Sequence, residues 1–263
     1  MIPPSVLAFS SGPSKRKWVD DEAAPKPKRL KHLQPSISPQ SFLEKLITDL
    51  GHTYKRIPAD EAEYDVAPSA LQLASFGTIL VKAVHTSDVN KLRNLLACGL
   101  SPNPCNQFRD SILDLVCKRA NESVFELLLE MGADLQVVDA FGRTPLHHAC
   151  WASEFCAPIV SSILQQDPAQ LYIEDRHGQT PLEYVRADLN DEWLEYLQQN
   201  VHKYFNPPPC WRSPKPRRPE GTVLDPENSI GASLAALVSS GTVSPTQISQ
   251  MDEETRRRYK TKG

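Results

Sequence analysis

Nowhere in its 263 residues does the chain hold the ~20 consecutive apolar residues that a membrane-spanning helix requires, so no membrane contact of that kind is expected. The segment Met1 to Ser14 lacks a basic start and an apolar run, and no secretory leader is read there. Glycine is scarce, with 11 residues, and none falls in a phosphate-cradling loop. No Cys-x-x-Cys pair occurs among the six cysteines, at 98, 105, 117, 150, 156 and 210. The steps Cys98 to Cys105 and Cys150 to Cys156 are wider than zinc ligation uses, and the expectation is buried free thiols in a reducing compartment. No Ser/His/Asp or Cys/His arrangement and no paired carboxylates stand at catalytic spacing. Nothing asks for an enzyme, a cofactor or a metal.

Proline is plentiful, 23 residues, and most lie in residues 1–39 or 206–263. Such segments bear the entropy of ordering without much apolar burial in return, so a folded middle with loose ends is expected. The formal charge of -3 hides a polarity: residues 1–37 carry +4, residues 206–263 carry +3, and the middle carries -10. An acidic body argues against that body gripping phosphate backbones, and charge complementarity then expects a basic patch on its partner.

The middle repeats itself. Four segments align at steps of 33, 33 and 36 residues, opening at Thr78, Ser111, Thr144 and Thr180. Each starts with a hydroxyl residue able to cap a helix, and Pro145 and Pro181 follow at the first helical position, where a missing N–H costs nothing. The second half of each unit agrees. Val89 to Leu96 runs into Gly99, and Val124 to Leu129 runs into Gly132, as amphipathic helices ended by a glycine free to turn left-handed. A helix–turn–helix of about 33 residues cannot bury its apolar face alone; stacking buries it.

Gly142-Arg-Thr-Pro-Leu-His-His-Ala-Cys150, Gly178-Gln-Thr-Pro-Leu-Glu-Tyr-Val185 and Leu127-Leu-Leu-Glu-Met-Gly-Ala-Asp134 resemble the signature of the ankyrin family. The resemblance implies an all-α ankyrin-repeat solenoid of about four helix-turn-helix repeats (76–108, 109–141, 142–177 and 178–202) within residues 76–205. Residues 39–75 are expected to form an N-terminal helical cap on the first repeat. Disordered tails are expected over 1–38 and 206–263, the latter with two short helical patterns near 229–240 and 244–260. The first repeat lacks the family's Pro and His, the second has Ile112 and Asp114 there, and the third ends in Gln166-Asp-Pro168. Ser41 to Glu44 reads as a capping box opening a helix that Gly51 closes, and residues 68–75 as a further short helix.

The family's variable contact positions on a concave face fall on Asp110, Lys118, Arg119, Phe141, Arg143, Trp151, Arg176, His177 and Gln179, with Ala140 and Ala152 beside them. Aromatic residues and arginine supply most interface hot spots, which singles out Phe141, Arg143 and Trp151. Trp151 has a second reading, packing between adjacent repeats. The resemblance gives His147 a structural part, tying one long turn to the next, while His148 falls in an apolar inner-helix slot.

At the N-terminus, Lys15, Arg16 and Lys17 precede Lys26, Lys28, Arg29 and Lys31 across a short acidic spacer, which resembles a bipartite nuclear localisation signal. A nuclear import receptor is the partner expected there; the compartment is the nucleus, the cytoplasm staying open. A weaker basic run spans Arg212 to Arg218, and Ser38-Pro39 and Ser213-Pro214 are proline-directed phosphorylation patterns. The favoured reading is a non-enzymatic adaptor that binds a protein on the concave face. The alternative is a nucleic-acid-associated regulator holding DNA or RNA through its basic tails, with a steep salt dependence as its mark.

Overall fold

Asn106, Asp139 and Asp175 stand 33 and 36 residues apart, and each shapes a long turn in the same way. The side-chain oxygen of Asn106 accepts from the Phe108 and Asp110 amides at 2.8 and 2.9 Å, that of Asp139 from Phe141 and Arg143 at 2.8 and 2.9 Å, and that of Asp175 from His177 and Gln179 at 2.8 and 3.0 Å. An Asx side chain can hold a turn this way without help from distant parts of the fold. Each turn also needs one left-handed residue, supplied by Gly142 (φ 79°), Gly178 (φ 75°) and, against preference, Arg109 (φ 65°).

The computed structural model describes residues 37–62, 64, 67–204, 225, 226 and 228–251, all within the unit Ser36–Gly263. In chain order the elements are α1 (Pro39–Asp49), β1 (Ile57–Pro58), α2 (Ala70–Ser75), α3 (Thr78–His85), α4 (Val89–Ala97), α5 (Ile112–Lys118) and α6 (Glu122–Glu130). Then follow α7 (Pro145–Cys150), α8 (Ala157–Gln166), β2 (Ile173–Glu174), α9 (Asn190–Tyr204), α10 (Ala232–Ser240) and α11 (Pro245–Gln250). The expected repeats are these helices taken in pairs, α3/α4, α5/α6 and α7/α8, with a fourth made of the 3-10 turn Pro181–Tyr184 and α9. Inner helices α3, α5, α7 and that turn contact in sequence, as do outer helices α4, α6, α8 and α9. Between the rows runs one apolar core, with Leu80, Leu92, Ile112, Val124, Leu146, Ile163 and Trp193 fully buried. The fully buried Trp193 packs edge-on against Phe155, 4.9 Å between ring centres.

Helix starts follow local chemistry, with two departures from expectation. Ser111, Thr144 and Thr180 are N-caps with capping boxes closed by Asp114, His147 and Glu183. Thr78 is not a cap: α3 starts one residue earlier, with Gly77 as its N-cap, and Ser239 of the C-terminal helix lies against that glycine. The first helix also begins earlier than its sequence box, since the Ser38 hydroxyl oxygen accepts from the Ser41 amide at 3.2 Å and Pro39 takes the first helical position.

The two ends of the stack are covered, and crosswise. The sequence placed the segment 39–75 over the first repeat, but α1 lies against α9 and the turn Pro181–Tyr184 of the fourth, burying Leu43 and Ile47 completely. Over the first repeat lies part of the expected C-terminal tail. There α10 packs on α2 and α3, burying Leu234, Ala235 and Val238, and Ser239 Oγ donates 2.7 Å to the Ala74 carbonyl. A side-chain carbon at Gly77 would run into the Ser239 backbone. Both ends of a stack bare apolar surface, and local sequence says that a cover is needed without saying which segment supplies it.

Since α1 sits at the far end, the chain must travel back along the stack before α2. It does so as a strap. The Tyr54 hydroxyl donates 2.9 Å to the Leu171 carbonyl and its ring stacks on Tyr172, 4.8 Å between centres. The strand β1 pairs with β2 in parallel, Ile57 opposite Ile173 and Pro58 opposite Glu174. Arg56 Nη1 donates 3.0 Å to the Gly178 carbonyl, and its fork pairs with Glu183 at 3.0 and 3.2 Å. Ala59, Ala62 and Tyr64 then form a small apolar cluster with Val138 and Ile173, and the Tyr64 hydroxyl donates to the buried Asp167 carboxylate.

Candidate functional site

The long turns and the ends of the inner helices bring rings and cations onto one face. Phe141 sits at the tip of its turn, 48% exposed, because the Asx turn on Asp139 leaves its side chain with no core to enter. Its ring faces His177 of the next turn, 6.0 Å between centres, and the two turns are joined by the Arg176 amide donating 2.8 Å to the Phe141 carbonyl. Arg143 lies across the cluster, with its guanidinium carbon 4.7 Å from the Phe141 ring centre and 5.3 Å from that of Trp151. Trp151 caps the end of α7 and is 40% exposed; Lys118, at the end of α5, holds its ammonium 4.1 Å over that ring. Tyr184, from the fourth repeat, borders Trp151 at 5.7 Å. Three repeats therefore contribute to one continuous plate.

Beneath the plate lies a buried charge cluster that orients it. Asp139 Oδ2 accepts from Arg143 Nε at 2.7 Å and pairs with its Nη2 at 2.6 Å, so the guanidinium plane is held from behind. His148 Nε2 stands 3.3 Å from that same carboxylate oxygen and 3.7 Å from Asp114 Oδ1 of the second repeat. Burial by itself would push the Asp139 carboxyl up, but the His148 ring and the Arg143 guanidinium outweigh it and hold it well below the usual carboxylate range. Burial does prevail at Asp114, which is pushed up despite the same histidine. The slot read as apolar thus carries a histidine bracketed by two aspartates, because the Asx residue of one turn and the capping-box acid of the neighbouring helix converge on it.

His147 links successive turns as the resemblance implied. Its Nδ1 accepts from the Thr144 amide at 3.0 Å, which leaves the proton on Nε2 to bond the Gln179 carbonyl at 3.1 Å. Burial lowers its pKa to about 4, so the neutral ring persists.

Of the nine expected contact residues, five meet in the plate: Lys118, Phe141, Arg143, Trp151 and His177. Arg119 lies next to Lys118 and is exposed. Asp110 accepts from the Asn106 side chain at 2.8 Å within its own turn. Arg176 donates to the Ala140 carbonyl at 2.5 Å and faces Asp60 of the strap at 3.8 Å. Gln179 is exposed, and its backbone carbonyl serves His147. Trp151 is partly exposed and also bridges repeats, with Lys118 of the second over its ring and Tyr184 of the fourth beside it. Ala152, beside it, is fully buried.

Two members of this face were missed in the sequence. Phe108, 63% exposed, occupies the same step of its repeat as Phe141 and His177 do in theirs, and the 33-residue spacing identifies it. Tyr184 had no such signal, because the fourth inner helix is replaced by a 3-10 turn.

Among the described residues no cluster of His, Cys, Asp or Glu is suited to a metal, and no helix is long and apolar enough to cross a membrane. The five cysteines among the described residues are free thiols: Cys105, Cys117 and Cys150 are buried, while Cys98 and Cys156 are half-buried. Burial pushes all five thiols up. The basic residues Lys15, Arg16, Lys17, Lys26, Lys28, Arg29 and Lys31, and the run Arg212 to Arg218, lie outside the described residues.

Comparison with known proteins agrees with the architecture. The family model for ankyrin repeats (3 copies) matches residues 80–175. The chain is similar to the ADP-ribosylation factor GTPase-activating protein AGD2 of Arabidopsis thaliana, 36% identical over 93 residues, which cover 31% of this chain and 12% of that protein. It is similar to AGD4, of the same description and plant, at 38% over 73 residues (28% and 9%), and to the potassium channel KOR2 of Oryza sativa subsp. japonica at 34% over 74 residues (28% and 10%). The chain spans only about a tenth of the length of these curated relatives. Ankyrin repeats indicate protein–protein interaction. With its paired helices in register, its turns tied through His147 and the family model matched over that span, residues 80–175 of this chain are ankyrin repeats.

Proposed function

We propose that this chain is a non-enzymatic adaptor that binds a protein partner on the face carrying Phe141, Arg143 and Trp151, and that it acts in the nucleus. The supporting observation is the plate itself. Monomeric surfaces scatter their exposed apolar residues, whereas here three of the exposed large hydrophobic side chains, Phe108, Phe141 and Trp151, lie along one face, with cations laid over the Phe141 and Trp151 rings. Aromatic and arginine side chains already held in place lose little entropy on binding, which makes them efficient anchors. The nuclear part rests on Lys15–Lys17 and Lys26–Lys31, spaced as two cation groups for an import receptor.

A pull-down from nuclear extract with full-length chain, against the triple variant Phe141→Ala/Arg143→Ala/Trp151→Ala, tests the face. Partners should be lost from the variant while its circular dichroism stays that of a folded helical protein, with melting lowered because Arg143→Ala leaves the buried Asp139 carboxylate without its guanidinium. Partners retained on a folded variant would place the contact elsewhere. Microscopy of a fluorescent fusion lacking residues 1–37 tests the compartment, with loss of nuclear accumulation expected. Nucleic acid recovered in the pull-down, and lost steeply with added salt, would favour the tails as the binding element instead.

A further inference from the structure

We infer that the occupant of the plate is an acidic, extended segment of a partner protein. This deepens the proposed reading of the same face and rests on it. The expectation from net charge pointed the other way, to a basic partner for an acidic body. Local geometry reverses the sign. Lys118 holds its ammonium 4.1 Å over the Trp151 ring and Arg119 is exposed beside it; neither makes an ion pair with a carboxylate among the described residues. Arg143 spans Phe141 and Trp151 from the other side.

Most acids that accompany this face are withdrawn from it, the exception being the exposed Asp60 of the strap, which faces Arg176 at 3.8 Å. Asp139 is buried beneath the plate with its oxygens committed to Arg143, His148 and two turn amides, and Asp175 is committed to its own turn amides and to Tyr184. Asp110 is the exposed acid at an equivalent turn position, and it accepts from Asn106. A carboxylate-bearing guest would find cations poised at the surface and little like charge to oppose it. A basic guest would meet Lys118 and Arg119 head-on, which is costly once water is excluded.

The layout favours an extended segment. Phe108, Phe141 and His177 recur at one step per repeat along the turn tips, and Lys118 and Trp151 recur likewise along the inner helix ends. Two parallel rows, one mainly of rings and one led by a cation, match a guest that runs across the repeats with acidic side chains on one edge and apolar ones on the other.

The test is selection of a random twelve-residue phage-displayed library on the full-length chain, with the folded Lys118→Glu/Arg119→Glu variant as counter-selection. Sequences retained by wild type alone should carry net negative charge. The strongest, made as a fluorescent peptide, should lose at least about tenfold in affinity for the charge-reversed variant and weaken with added salt. Enrichment of neutral or basic sequences, or of none, overturns the proposal. So does binding of a single-stranded DNA 20-mer that the reversal abolishes while no acidic peptide is retained. In each of those cases a pull-down still sensitive to Phe141 and Trp151 leaves the face itself in place, so the two readings fail separately.

Discussion

The hydroxyl of Thr180 donates 2.8 Å to the side-chain oxygen of Gln40, a buried bond between residues 140 positions apart. It fastens α1 to the N-cap of the fourth repeat. Neither group is placed to do this by its local sequence, and the bond forms only because α1 crosses to the far end of the stack.

The bond is measurable. Gln40→Ala should cost about 1 kcal/mol in urea unfolding, since the Thr180 hydroxyl loses its shorter acceptor and keeps only the Glu183 carboxylate at 3.2 Å. With Thr180→Val it should form a double-mutant cycle whose coupling exceeds about 0.5 kcal/mol. Strict additivity would refute the contact.

At the other end, Leu234 is fully buried where α10 covers α2 and α3. Leu234→Ala should lower stability by about 2–4 kcal/mol. A fragment ending at Tyr204 should melt well below the full chain, because it bares the surface that Leu234, Ala235 and Val238 now cover. A fragment as stable as the whole would show the C-terminal helices to be ornament.

Gly142 is left-handed at φ 79°, and a side-chain carbon there would stand 2.8 Å from the Ala59 side chain of the strap. Gly142→Ala should therefore destabilise by about 1–3 kcal/mol, combining backbone strain with a clash. Its equivalent in the second repeat is Arg109 at φ 65°. There the reverse change, Arg109→Gly, relieves strain of about 1 kcal/mol, offset in part by a looser unfolded chain. Thermal melts of the two variants should move in different directions or by clearly different amounts.

His147 supplies a pH dependence of known sign. Its ordinary pKa of 6.5 falls to about 4 on folding, chiefly by burial. A depressed histidine favours the native state above its unfolded pKa, and that advantage drains away as pH falls from 6.5 toward 4. Integrated over the shift it amounts to about 3 kcal/mol. Chemical unfolding at pH 7 and pH 4.5 should show wild type losing stability across this window. His147→Gln should be less stable at pH 7 and show a smaller loss on acidification. An equal pH slope in both proteins would remove His147 from the account.

Much of the fold was legible because an ankyrin unit writes its instructions locally. Thr144, Pro145 and the box partner His147 start a helix within four residues, Gly132 ends one, and Asp139 turns the chain by bonding amides two and four positions on. Repetition at 33 residues then lines up Phe108 with Phe141 and Lys118 with Trp151 before any coordinate is known. What recurs by short-range bonding can be read by stepping along the chain.

The rest depended on which distant surfaces match. That Arg143 stacks between Phe141 and Trp151, and that His148 lies between Asp114 and Asp139, follows from how the repeats pack and not from any one of them. That α1 covers the fourth repeat, α10 the first, and a strap joins them along β2 is encoded in buried area and in bonds such as Thr180 to Gln40, summed across the whole stack. The sequence alone determined the repeating units, their turns and the row of rings along them. Only the tertiary structure decided the caps and the sign of the charge on the face, because long-range complementarity leaves no periodic trace in the order of residues.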